Sequence, residues 1–147
     1  MAKVRHLFRA PKKHLPMQEV WEAHALANSG LGGCAHARPG GPRQILLVDS
    51  ETLDAVGLPP GVIRENITTE GLNVNGLALG QQLRVGEAHL EVTAVCTPCD
   101  QLERVRPGLR RELWGRRGML CRVIRGGMIR QGDAIEKIPA LVSSLTA

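Results

Sequence analysis

Cys96 and Cys99 are spaced as Cys-x-x-Cys with Pro98 between them, directly after an apolar run from Leu90 to Val95. A strand ending in a proline turn would hold a thiol at the lip of a β-structure, and the fixed φ of Pro98 would set the direction of Cys99. A short helical pattern follows at once. Cys99 is therefore expected at a helix start, whose positive end favours the thiolate. Because the thiolate is the nucleophilic and the metal-binding form, Cys99 is the candidate working atom, with Cys96 as its candidate partner.

The cysteines also have plainer readings. Cys96 and Cys99 make half of a zinc site, but a structural site needs four ligands and no second close Cys or His pair follows. Cys121 lies in an apolar strand and is expected to be an inert core thiol. Disulfides do not suit a reducing compartment, and the N-terminus lacks the long apolar core of a secretion signal, so the expected location is the cytoplasm. No apolar run is long enough to span a membrane.

Arginine is the second constellation. Between Arg104 and Arg130 there are nine arginines and a single acid, Glu112, so this segment carries +8 of a chain whose net charge is +5. Arginine outnumbers lysine fifteen to four, which suits planar, bidentate recognition of anions. A solvated basic face explains the run equally well. Tyrosine is absent, and Phe8, Trp21 and Trp114 are the whole aromatic set. A stacking platform for single-stranded nucleic acid is thus missing.

These residues need elements to position them. The 147 residues include seventeen glycines and nine prolines, a pattern of short elements and many turns that favours a mainly β single domain. Strands are expected at residues 3–9, 43–49, 62–69 and 134–138, with hairpins of 82–85 with 87–95 and of 119–124 with 128–130, the latter turning at Gly126 and Gly127. Spacing of Met17, Val20, Trp21 and Ala25 predicts a helix over 17–27. Further helices are expected at 51–56, capped by Ser50, and at 99–105 and 107–113, broken at Pro107. The sum is about seven strands and a core over about 4–138, with a short tail over 139–147.

Residues 28–42 form a long glycine-rich loop, the kind that contacts ligands. It matches neither a phosphate-binding nor a dinucleotide fingerprint, and its His36 is a candidate ligand or base. Arg64, Glu65 and Asn66 are consecutive inside a β-rich run, so alternation must send at least one inward, towards a structural partner or a polar ligand.

The order of motifs resembles a known family. Arg43-Gln-Ile-Leu-Leu-Val-Asp-Ser-Glu-Thr-Leu53 is followed by Arg64-Glu-Asn-Ile-Thr-Thr-Glu-Gly-Leu72, Leu79-Gly80, Leu83-Arg-Val-Gly86, Glu91-Val-Thr93, Pro98-Cys99, Gly115-Arg-Arg-Gly-Met-Leu-Cys-Arg-Val123 and Gly132-Asp133. Together they resemble a stand-alone MOSC domain, named after the C-terminal domain of molybdenum cofactor sulfurase. The resemblance implies a β-barrel-like fold and a cysteine, matching Cys99, that carries sulfur as a persulfide or ligates molybdenum. It implies that molybdenum cofactor (molybdopterin) is held by Arg64, Asn66, Arg116, Arg117, His36 and Arg43. Pyridoxal phosphate belongs to a fused cysteine-desulfurase domain in the sulfurases and is not expected in this chain. In Gly33-Cys-Ala-His36, Cys34 stands where the family commonly has aspartate. Either Cys34 assists as a second sulfur or that contact is lost.

The leading expectation is therefore a protein that binds molybdenum cofactor, carries sulfur on Cys99, or does both. Its partners would be a cysteine desulfurase or other sulfur donor, or a redox partner. Whether it turns over a substrate itself stays open. The alternatives are a nucleic-acid or acidic-partner binding module built on the arginine segment, with nucleic acid the less suited partner, and a zinc or redox module built on Cys96 and Cys99.

Overall fold

A computed structural model describes residues 1–139. Among the described residues, eleven strands and three short helices make a mainly β fold. In chain order these are β1 (Lys3–Arg9), β2 (Gln18–Glu19), β3 (Glu22–Leu26), β4 (Gly30–Leu31), β5 (Ile45–Asp49), α1 (Ser50–Val56), β6 (Ile67–Glu70), β7 (Gln82–Val85), β8 (Ala88–Val95), α2 (Gln101–Val105), α3 (Leu109–Glu112), β9 (Met119–Arg125), β10 (Gly127–Arg130) and β11 (Ile135–Ile138). They form an open eight-stranded sheet, ordered β11-β7-β8-β9-β5-β6-β1-β2, and a three-stranded sheet, β10-β3-β4, rather than one closed barrel. Residues 140–147, most of the expected tail, lie outside the described residues.

Strand β5 explains why there are two cores. All five of its residues are buried, as expected of a strand covered on both faces. Ile45 and Leu47 join the larger core with Leu7, Ala23, Ala25, Leu90 and Val123. Leu46 and Val48 face the other way, into a smaller core with Leu53, Cys96, Leu102, Leu109 and Leu113. The smaller core roots all three helices. Helix α1 is capped by Asp49, whose carboxylate accepts from the Thr52 N–H at 3.0 Å, one residue earlier than Ser50. At its far end Gly57 supplies the left-handed cap.

Two expected elements are overturned. The helix over 17–27 is instead β2 and β3: Ala23 and Ala25 are buried while Glu22, His24 and Leu26 are exposed, a period of two. The apolar spacing of Met17, Val20 and Trp21 imitated a helix, but Trp21 is 65% exposed. The hairpin at Gly126 and Gly127 is also absent, because β10 pairs with β3 and β9 lies between β5 and β8. Both glycines serve close approach instead of a turn: a Cβ on Gly126 would stand 2.8 Å from the Ala25 carbonyl oxygen, and one on Gly127 would strike the Glu87 carbonyl.

Candidate functional site

Past Val95, Cys96 adds one more rung to the β8–β9 ladder, its N–H donating to the Gly118 carbonyl at 3.0 Å. Its side chain enters the smaller core and is 7% exposed. The chain then runs through Thr97 and Pro98 to Cys99 without the expected turn or bend. Helix α2 begins two residues late, at Gln101, with Asp100 as its cap, and it has five residues. Cys99 therefore precedes the helix instead of opening it. What sets Cys99 apart is access. It is exposed, whereas Cys34, Cys96 and Cys121 are buried, and all four are free thiols. Burial raises the Cys121 thiol far above its ordinary range, so it is inert.

Cys96 and Cys99 border a cavity of about 500 Å³ whose walls also carry His36, Arg38, Arg43, Arg64, Asn66 and Arg117. No aspartate or glutamate lines it among the described residues. Four guanidinium groups without a lining carboxylate give the cavity a positive wall of the kind that suits an anion.

Arg117 is the most informative of the four. It is 8% exposed, and its Nη2 donates to the Ile63 carbonyl at 2.8 Å. Its Nε and Nη1 have no hydrogen-bond partner among the described residues. Buried donors left unpaired cost about 1–3 kcal/mol, more for charged groups. Arg117 also lines the cavity, and an anion that reached these nitrogens from there would relieve that cost. The next residue holds this arginine in place. Gly118, at φ 115°, has no room for a Cβ, which would strike the Leu47 carbonyl. The Asn75 amide clamps the same residue, accepting from the Gly118 N–H at 3.0 Å and donating to its carbonyl at 3.3 Å.

The run Arg64-Glu-Asn66 sends two polar residues inward, where at least one was expected: Glu65 is 0% and Asn66 1% exposed. Arg64 makes this possible by adopting the left-handed conformation, φ 66°, which few non-glycine residues enter. Asn66 pairs with backbone rather than with Glu65. Its Oδ1 accepts from the Leu46 N–H at 2.9 Å, and its Nδ2 donates to the Phe8 carbonyl at 3.3 Å. It braces the cavity wall more than it offers a free donor.

His36 is held below its ordinary range by burial first, then by the Arg64 and Arg38 guanidiniums, with Asn66 pulling the other way. It is a neutral imidazole among arginines. Cys34 is buried behind it, outside the cavity lining. Its Sγ accepts from the N–H groups of Ala10 (3.3 Å) and His36 (3.4 Å) and from Asn66 Nδ2 (3.5 Å). The thiol thus occupies an acceptor position where a carboxylate would also fit.

The arginine segment divides sharply. Of its nine arginines only Arg117 lines the cavity. Arg116, expected there, is exposed and donates through Nε to the Glu112 carbonyl at 2.9 Å. Arg106, Arg110, Arg122 and Arg130 pair with carboxylates on the outer surface. The other cavity arginines come from elsewhere, Arg38 and Arg43 from around the glycine-rich loop. Arg38, Asn75 and Gln44 were not singled out in the sequence. Buried Gln44 pins the loop, donating to the carbonyls of Gly41 (2.9 Å) and Arg38 (3.2 Å). Arg38 had a visible signal, a cation inside a ligand-type loop; Asn75 acts on Gly118, 43 positions away, and Gln44 acts on the backbone of the loop before it and of Val123, pairings with no local signature. For the zinc alternative, no three His, Cys, Asp or Glu side chains cluster among the described residues.

A model of the MOSC domain family matches residues 40–136. The chain belongs to the MOSC domain family. Members of this family are associated with molybdenum cofactor binding and sulfur transfer. Several solved structures share the fold of this MOSC domain. YUAD protein from Bacillus subtilis superposes with a TM-score of 0.78 at 22% identity, over 91% of this chain and 93% of that one. YiiM from Geobacillus stearothermophilus gives 0.76 at 19% identity, covering 95% and 76%. YiiM from Escherichia coli gives 0.68 at 21%, covering 93% and 71%. At these identities the likeness is one of fold. A search of curated proteins finds no match. No helix among the described residues is long and apolar enough to cross a membrane.

The donor set of this MOSC domain fits the family's cofactor on structural grounds. The unpaired Arg117 nitrogens suit a phosphate, and an exposed cysteine sulfur on the same cavity suits a soft metal centre.

Proposed function

We propose that this MOSC domain binds molybdenum cofactor through its phosphate and uses Cys99 to carry sulfur or to ligate the metal. One observation carries the proposal: the exposed thiol borders the same cavity as a buried arginine with two unpaired donors. Arg117 would hold the phosphate from within, and Arg38, Arg43 and Arg64 would surround it. Gln44 keeps the loop of Arg38 in place, and neutral His36 adds a hydrogen-bonding group without a competing charge. When bound, the cofactor would supply a molybdenum centre able to accept a thiolate ligand.

Sulfur loading needs only Cys99. Its thiolate attacks the terminal sulfur of a donor persulfide, the donor's S–S bond breaks, and the donor leaves as a thiolate. A new S–S bond forms on Cys99 with no net oxidation. Cys96 is a poor first acceptor because its sulfur is packed in the smaller core. The 96–99 segment has no turn or bend that would bring Cys96 and Cys99 together as a disulfide. Free thiols throughout suit a reducing compartment such as the cytoplasm.

Anaerobic purification followed by molybdenum analysis and intact mass spectrometry tests the proposal, with Cys99→Ala and Arg117→Leu beside the wild type. Metal or pterin that is lost in both variants supports cofactor binding. A mass gain of one sulfur atom that vanishes in Cys99→Ala supports the carrier. Neither species, even after incubation with cofactor and with cysteine persulfide, overturns both.

A further inference from the structure

A second concavity, of about 800 Å³, lies on the outer side of α2 and α3 and is lined by Asp100, Glu103, Gly108, Arg110, Arg111 and Trp114. It adjoins the first along the chain, because Asp100 lines this groove while its neighbours Cys99 and Gln101 line the cavity. The indole of Trp114 is 69% exposed, although Leu113 beside it is fully buried and anchors the backbone. Trp21 is exposed as well, but Trp114 shares its groove with Asp100, the residue next to Cys99, and an outward aromatic there makes a contact surface of the kind that dominates protein interfaces.

The charges select the partner. Both acids of the groove are already engaged. Asp100 Oδ1 accepts from Arg110 Nη1 at 2.6 Å. Glu103 accepts from the backbone N–H groups of Gly108 and Arg110, both at 2.9 Å, which hold its carboxyl below the usual range. Arg111 pairs with no carboxylate among the described residues. Across residues 100–116 five arginines face three acids. The groove therefore offers an aromatic wall, a guanidinium open to a bidentate carboxylate, and a positive surround.

We propose that this groove docks an acidic segment of a sulfur-donor protein and so delivers the donor's persulfide to Cys99. The inference rests on Cys99 receiving sulfur. Arg111 takes an Asp or Glu of the donor, Trp114 packs an apolar side chain next to it, and the donor cysteine lies where the groove meets the cavity. Transfer follows the balanced exchange described above: the donor S–S bond breaks as the Cys99 S–S bond forms, and the donor thiolate leaves.

Two synthetic peptides test this, each with one cysteine persulfide and a leucine, one flanked by glutamates and the other by lysines, beside free cysteine persulfide. Intact mass spectrometry follows loading of Cys99. The acidic peptide should load at least about tenfold faster than the basic one at low ionic strength. The advantage should shrink as salt screens it. Arg111→Glu should abolish the preference and Trp114→Ala should reduce it, while free cysteine persulfide loads both variants at the wild-type rate. Equal loading by the two peptides, or a preference that survives Arg111→Glu, overturns the inference alone. A wild type that free cysteine persulfide cannot load overturns the carrier reading and this inference with it. A tryptophan fluorescence change with oligo-thymidine that is lost in Trp114→Ala, and no change with the acidic peptide, would assign the groove to nucleic acid instead.

Discussion

Arg117 and Arg122 lie five positions apart in one basic run and do opposite work. Arg122 is on the outer face of β9, 44% exposed by side chain, and its Nε contacts the Glu91 carboxylate at 2.8 Å. Arg117 is buried, bonded to one carbonyl and otherwise unpaired. An exposed pair in water is worth about 0–1 kcal/mol, while a buried cation without its anion is a standing cost that a ligand can remove. The run of charge is thus not a site. Its one buried member is where the proposed function puts an anion.

The thiols make the same contrast and give the largest expected effect. Iodoacetamide on the native protein should label Cys99 and leave Cys34, Cys96 and Cys121 unmodified until denaturant is added. Cys99→Ala should abolish native labelling with a stability change within about 0.5 kcal/mol, as befits an exposed site. Labelling of Cys121 in the native protein would contradict its burial.

Arg117→Leu should weaken binding of inorganic phosphate about 10- to 100-fold by calorimetry, the size of a lost charged hydrogen bond. Thermal stability should hold or rise, because a buried unpaired cation goes with it. A fall in stability with phosphate binding intact would make Arg117 a purely structural residue.

His36 yields a graded test. Its folded pKa lies below the ordinary value. Below about pH 6.5 the unfolded chain therefore takes up a proton that the folded chain refuses. Stability contributed by the neutral imidazole is present above this pH, falls as pH drops towards the lowered folded value, and levels off beneath it. Urea titrations across this range should show His36→Gln with the shallower slope. Phosphate should raise the His36 pKa in an NMR titration by masking Arg64 and Arg38. The smallest effect belongs to Arg122→Ala, which should leave phosphate binding unchanged and stability within about 1 kcal/mol.

What was legible in the sequence was local. Strand β5 showed as an apolar run and the β7–β8 hairpin turned at Gly86, whereas the proline turn and helix start expected to position Cys99 are not there. Long-range pairing was not legible. Residues 17–27 carried spacings compatible with a helix and were decided by β10 and β4 lying on either side of β3. Gly126 and Gly127 had the composition of a turn, yet their purpose depends on carbonyls of Ala25 and Glu87. For the same reason, sequence could not separate Arg117 from Arg116, because burial and partners are properties of the folded chain. The clamp of Asn75 on Gly118 joins residues 43 positions apart.

The conformation of Arg64 has a consequence for laboratory evolution. A left-handed backbone costs a non-glycine residue about 1–2 kcal/mol, and glycine would remove that cost while giving back about 0.5–1 kcal/mol in chain freedom. Arg64→Gly would also forfeit the exposed 2.7 Å bond from Nη1 to the Leu15 carbonyl. These changes nearly cancel, so heat tolerance alone barely distinguishes the two residues. A library screened only for thermostability would let position 64 drift to glycine and erode the cavity's charge without any warning in the melting curve.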